Sequence, residues 1–242
     1  MKLNILSLQD GDDIILSNGL VLRQPTVNDV KILGEDIYLW WVFTWVNKPS
    51  DIMHGLWKAG VDYEQLTRDD LFSATIKNSE QSFVEIAKIF FKDTNFFVQY
   101  DSEYEMYLLH YNTMYDLTVR RLEPHECDEI ALVFEKIHRY KHQPIRKFST
   151  QGDKKKILDY EIEEAEFYYK KTDFSLISST KQSVVVLNSR SWEYVSNLTV
   201  YQLLSESYGS IKFEQTKLLK QGIYSGNVDY KKINKDELEW NN

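Results

Sequence analysis

Ser191-Trp192-Glu193-Tyr194-Val195-Ser196-Asn197-Leu198-Thr199-Val200-Tyr201-Gln202-Leu203 is the stretch on which the reading of this chain turns. Serine and threonine side chains accept hydrogen bonds from the free N–H groups at a helix start. Ser191 therefore caps a short turn carrying Trp192, and the Asn-Leu-Thr step brings Thr199 to the head of an apolar-periodic helix. That helix is predicted to run from Thr199 to about Gln221 and to stop at Gly222.

Upstream, residues 173–190 read two ways. Val184-Val185-Val186-Leu187 favours a strand locally, with turn residues on both sides. Residues 154–172 read as a charged helix rich in Lys, Glu and Tyr. Pro144, Ser149, Thr150 and Gly152 make 143–153 the best linker. The chain thus divides into 1–146 (hairpin, helices and a small sheet) and a helical region over 150–242. Beyond the long helix, the polar tail from Asn227 carries Val228, Ile233, Leu238 and Trp240 as apolar anchors.

In the first part, residues 13–24 form a predicted β-hairpin. Ile14, Leu16, Leu20 and Leu22 flank Asn18-Gly19, a pair that supplies the positive φ of a tight turn. Thr26 with Asp29 reads as a capping box, opening one helix from Val27 to Val46. Pro49-Ser50 starts a second helix that Gly60 closes. Thr67 caps a third with Asp70, and Ser79 or Ser82 starts a fourth. The runs 96–100, 106–110 and 117–121 suggest a small antiparallel meander. Pro124 then opens a helix reaching about His142. The expected class is α+β, predominantly α-helical.

The 242 residues carry a net charge of −8 and are 43% hydrophobic and 14% aromatic. That is too apolar for a disordered chain and too acidic for phosphate-driven nucleic-acid binding. Lys154-Lys155-Lys156 and the other basic runs have acidic neighbours and read as solvated helix faces. One cysteine, Cys127, excludes an internal disulfide framework and fits a reducing compartment. The N-terminal segment does not read as a secretory signal. The longest uncharged apolar run, 37–46, is half of the roughly 20 residues that span a bilayer. The location expected is cytosolic, with no membrane partner.

Chemistry-bearing patterns are sparse. His125, Cys127, His138 and His142 are the one metal-like group, but on a continuous helix Cys127 and His138 lie roughly 16 Å apart, too far for one ion. Gly222-Ile223-Tyr224-Ser225-Gly226 misplaces the serine of a nucleophile elbow, and no phosphate-binding glycine loop occurs. No catalytic residue, metal ligand or cofactor is assigned, and a metal-dependent enzyme remains the remote alternative. The aromatic stripe Trp40, Trp41, Phe43 and Trp45 has two readings: core packing, or anchors that receive an amphipathic segment of another protein. Tyr201 joins it as a candidate binding residue.

In order along the chain, the hairpin flowing into Leu22-Arg23-Gln24-Pro25-Thr26-Val27, then Gly34-Glu35-Asp36-Ile37-Tyr38, Pro49-Ser50-Asp51-Ile52, Gly60-Val61-Asp62-Tyr63, Cys127-Asp128-Glu129-Ile130, Trp192-Glu193, Leu198-Thr199-Val200-Tyr201-Gln202-Leu203 and the closing Asp229 to Trp240 tail resemble the tail assembly chaperones of long-tailed bacteriophages of Gram-positive hosts. The resemblance implies a non-enzymatic protein of the host bacterial cytoplasm. Such a protein keeps the long helical tape measure protein soluble, helps recruit tail tube protein, and is lost from the finished virion. The alternative is a structural tail or baseplate subunit.

Overall fold

A computed structural model describes residues 4–169 and 175–225, with 227 and 233. The N-terminal helix α1 (Ile5–Asp10) leads into a hairpin of β1 (Ile14–Ile15) and β2 (Val21–Leu22), with Gly19 at φ 86° in its turn. β3 (Phe91–Lys92) pairs with the other side of β2, making a three-stranded antiparallel sheet.

The predicted capping box forms as read: Thr26 Oγ1 accepts from Asp29 N–H, and Asp29 returns a bond to the Thr26 N–H. The helix it opens is shorter than expected. α2 (Val27–Leu33) ends at Gly34, and α3 (Glu35–Val46) starts afresh. Gly34 has φ 87° and ψ 135°, a conformation glycine adopts without a Cβ penalty. The break frees Glu35 to accept hydrogen bonds from Ser175 and from Ile177 N–H, across 140 residues of sequence.

Pro49–Ile52 forms a 3-10 turn, followed by α4 (Met53–Lys58), and Gly60 sits just beyond at φ 75°. α5 (Arg68–Asn78) carries the Thr67–Asp70 capping box, and α6 (Glu80–Phe90) runs straight into β3. The meander is β4 (Thr94–Asp101), β5 (Met106–Thr113) and the two-residue β6 (Arg120–Arg121), in that order and antiparallel. α7 (Pro124–Ile137) stops short of His142, because Arg139 takes φ 51° and turns the chain out of the helix.

In the second half, α8 (Gln151–Tyr169) is the charged helix. The valine run does not make a strand: α9 (Leu176–Asn188) is helical throughout. β-branched residues cost only tenths of a kcal/mol each in a helix. That cost is outweighed here by burial of Ile177 and Val184, seven residues apart on one face. α10 (Trp192–Asn197) is capped by Ser191, and α11 (Val200–Tyr224) passes through Gly222, two residues beyond the predicted stop. The anchors Val228, Leu238 and Trp240 lie outside the described residues.

The opening stretch and the hairpin exit meet directly. Thr26 and Thr199 form an antiparallel bridge, in which Val27 N–H donates to Leu198 O (2.9 Å) and Val200 N–H donates to Pro25 O (2.8 Å). Both threonines are N-caps, so α2 and α11 start back to back. Gln202 closes the capping box of α11 and donates onward to Gln9 O at 2.7 Å. Gly11 lies beside this joint: its φ is 79°, and a Cβ there would stand 3.3 Å from Thr199 Cγ2. Val195, Leu198, Val200 and Leu203 consequently share one hydrophobic cluster with Leu8, Leu22 and Val27.

A second, smaller cluster of Met53, Tyr63 and Leu158 joins α4 to α8. Polar bonds surround it. The Lys154 ammonium, 2% exposed, reaches Asp62 (2.9 Å) and Glu64 (3.2 Å) and lies over the rings of Tyr63 and Trp57. His54 and Arg146 both meet Glu161, and Trp57 donates to Asp159. Among the described residues no helix is long and apolar enough to cross a membrane.

Candidate protein-binding surface

α3 lies across α6 and α7, and this placement decides the fate of the aromatic stripe. Trp41 and Trp45 are wholly buried. Trp41 leans on Phe90 (5.1 Å between ring centres) and stands edge-on to Phe134 (5.3 Å), and its indole N–H donates to Phe83 O. Trp45 meets Phe72 and Phe83 at 5.2 and 5.3 Å. Trp40 stands edge-on to Phe83 and Phe43 leans on Tyr140, both half-buried. The stripe is therefore core: α3 is apolar on several sides because other helices cover several sides. Tyr201 is 9% exposed and walls a small cavity of about 250 Å³ with Gln9, Leu198 and Glu206.

The histidines and the cysteine separate. His138 is partly buried and packs against the fully buried Tyr38. Its Nδ1 lies 2.8 Å from Phe134 O, a pure acceptor, so Nδ1 carries the proton; Nε2 then accepts from the Tyr38 hydroxyl at 2.7 Å. Burial drives the imidazole down to about 4 and holds the Tyr38 phenol well above its ordinary value. His142 faces carboxylates on both sides, Asp51 at 2.7 Å and Glu135 at 2.8 Å. Cys127 sits beside Arg68, and burial pushes its thiol up to about 12. His125 is exposed on the first turn of α7. Among the described residues, no three His, Cys, Asp or Glu side chains are grouped to hold a metal ion.

The surface that sequence reading missed is on α11. Val200, Leu204, Ser207, Ile211 and Leu218 repeat at spacings of four, three, four and seven, which places them on one stripe of the helix. Its first members are taken up by the core: Val200 is 0% exposed, Ser207 is buried and Leu204 packs against the cluster. The same stripe then emerges, with Ile211 at 44% and Leu218 at 64% exposure. At 1.5 Å per residue the helix is about 37 Å long, long enough to present a seam to a second helix. A heptad-like spacing is visible in the sequence, but spacing alone does not separate a stripe that stays buried from one that turns to solvent at Ile211 and Leu218. Near α4, a groove of about 690 Å³ has apolar walls from Tyr63, Leu66, Ile145 and Phe148 and a basic rim of Lys48, Arg146 and Lys147.

Set against protein-family models, curated proteins and solved structures, the chain finds no match.

Proposed function

We propose that this chain is a tail assembly chaperone of a long-tailed bacteriophage: a non-enzymatic protein that binds the tape measure protein in the host cytoplasm and aids assembly of the tail tube. The observation that carries the reading is the α11 stripe, buried at Val200 and exposed at Ile211 and Leu218. A helical partner with an apolar seam would continue the packing that the core begins. Gln24-Pro25-Thr26 and Leu198-Thr199-Val200, two of the stretches on which the resemblance rests, form one structural unit. The chain's net charge of −8 would keep chaperone copies apart while each covers an apolar helix.

Co-expression with tape measure and tail tube proteins tests this. The expected result is a soluble complex with the tape measure protein and no stoichiometric chain in purified particles. Stoichiometric presence in finished particles would instead make it a structural tail or baseplate subunit. Failure to keep the tape measure protein soluble would remove the chaperone role.

A further inference from the structure

The sheet β4-β5-β6 has two edges of different construction. Leu122 N–H donates to Leu109 O (2.8 Å), so Leu109 turns its backbone toward β6. Direction alternates along a strand; Leu108, His110 and Asn112 therefore turn toward β4, and their register partners Gln99, Phe97 and Asn95 turn back toward β5. The bond from Met114 N–H to Asp93 O falls on the same alternation. Phe96, Val98 and Tyr100 consequently direct their N–H and C=O groups away from the sheet, and among the described residues these groups have no hydrogen-bond partner.

An open edge of this length is an invitation to pair, and proteins guard such edges with charge, proline or very short strands. The far edge is guarded: β6 has two residues, both arginine, and Tyr107 N–H, beyond its reach, is taken by Ser73 Oγ at 2.8 Å. The near edge is not. Thr94 to Tyr100 contains no charge and no proline. Beside it lies a concave surface of about 610 Å³, walled by Glu80, Val84, Glu85 and Lys88 of α6. Asp101 ends the strand and Glu103 follows in the turn, so with Glu80 and Glu85 acids outnumber Lys88 along this concave surface.

We propose that the outer edge of β4 accepts an extended, lysine- or arginine-bearing segment of another polypeptide as an added strand. Backbone pairing with Val98 and Tyr100 supplies the hydrogen bonds, apolar side chains of the segment lie by Val84 and Val98, and its cations meet Glu80, Glu85 and Asp101. A second copy of this chain is a poorer occupant, because it would bring the same acids to the same edge. The inference is independent of the phage assignment and concerns a different surface from α11.

The probe is a capped peptide, Lys-Val-Lys-Val-Thr-Val-Lys, titrated into the full chain and followed by amide NMR and hydrogen exchange. Binding should slow exchange at the Val98 and Tyr100 amides. N-methylation of alternate peptide residues, or replacing each lysine of the peptide by glutamate, should weaken binding about tenfold or more. Tyr100→Pro removes one outward N–H that the fold does not use; it should leave the melting temperature within a few degrees and weaken the peptide similarly. Equal affinity for the N-methylated or the acidic peptide, no binding at millimolar peptide, or protection elsewhere than β4 would overturn the proposal. So would concentration-dependent self-association through this edge, which would assign it to a second copy.

Discussion

Two parts of the molecule are held by opposite means. Around α3, rings pack on rings: Trp41 and Trp45 touch Phe72, Phe83, Phe90, Phe91 and Phe134, and the Tyr38–His138 pair beside them is neutral at pH 7. Between α4 and α8, three buried apolar residues are ringed by ion pairs through Lys154, Glu161, His54, Arg146 and Lys58. The first region relies on removing apolar area from water, which charge screening does not weaken. The second relies on partly solvated charges, which salt screens and acid removes. The α8 region should therefore open first and separately.

The largest effect should come from Trp41→Ala, which empties the centre of the ring cluster. A loss of about 3–5 kcal/mol in denaturant unfolding is expected, with secondary structure lost along with it; a loss below 1 kcal/mol would mean that the centre lies elsewhere. The same burial means that Trp41→Ala and Trp45→Ala report on folding and cannot serve as tests of partner binding.

Acid should act next, through His138. Its folded value of about 4 lies below the ordinary 6.5. The unfolded chain therefore takes up a proton that the native state refuses. Stability is full above pH 6.5 and falls as pH drops toward 4, by about 3 kcal/mol in total. His138→Gln should flatten that part of the profile in equilibrium unfolding measured from pH 7 to pH 4. Tyr38→Phe takes the donor from the partly buried His138 Nε2 and should cost about 1–3 kcal/mol at pH 7, read from the same unfolding curves.

Lys154→Met keeps the volume of the buried stem but leaves Asp62 and Glu64 without their ammonium. Amides of α8 should exchange on the order of tenfold faster, while those of α3 and α7 stay unchanged. The smallest effect is that of salt: raising ionic strength to 1 M, where screening acts within about 3 Å, should speed α8 exchange slightly and leave α3 exchange unaltered. Equal response of both helices to either change would erase the distinction between the two regions.

Much of this architecture could be read from local chemistry. The capping boxes at Thr26, Thr67 and Thr199, the Asn18-Gly19 turn and the alternation of the β4–β5 run act within a few residues, so sequence displays them. Four features escaped for the complementary reason. The break at Gly34 depends on Glu35 being needed by Ser175 and Ile177. The helicity of Val184-Val185-Val186 depends on what covers Val184. The role of the Trp stripe depends on how many neighbours α3 has, and the α11 seam on which face of that helix other segments leave uncovered. Each is a property of distant segments meeting.

The proposed seating of a helical partner on the α11 stripe is tested by calorimetric titration of tape measure fragments into the chain and into Ile211→Glu and Leu218→Glu. Both positions are substantially exposed, so the variants should melt like the unaltered protein while affinity falls about a hundredfold for the pair. Folded variants that bind as tightly as the original would contradict it.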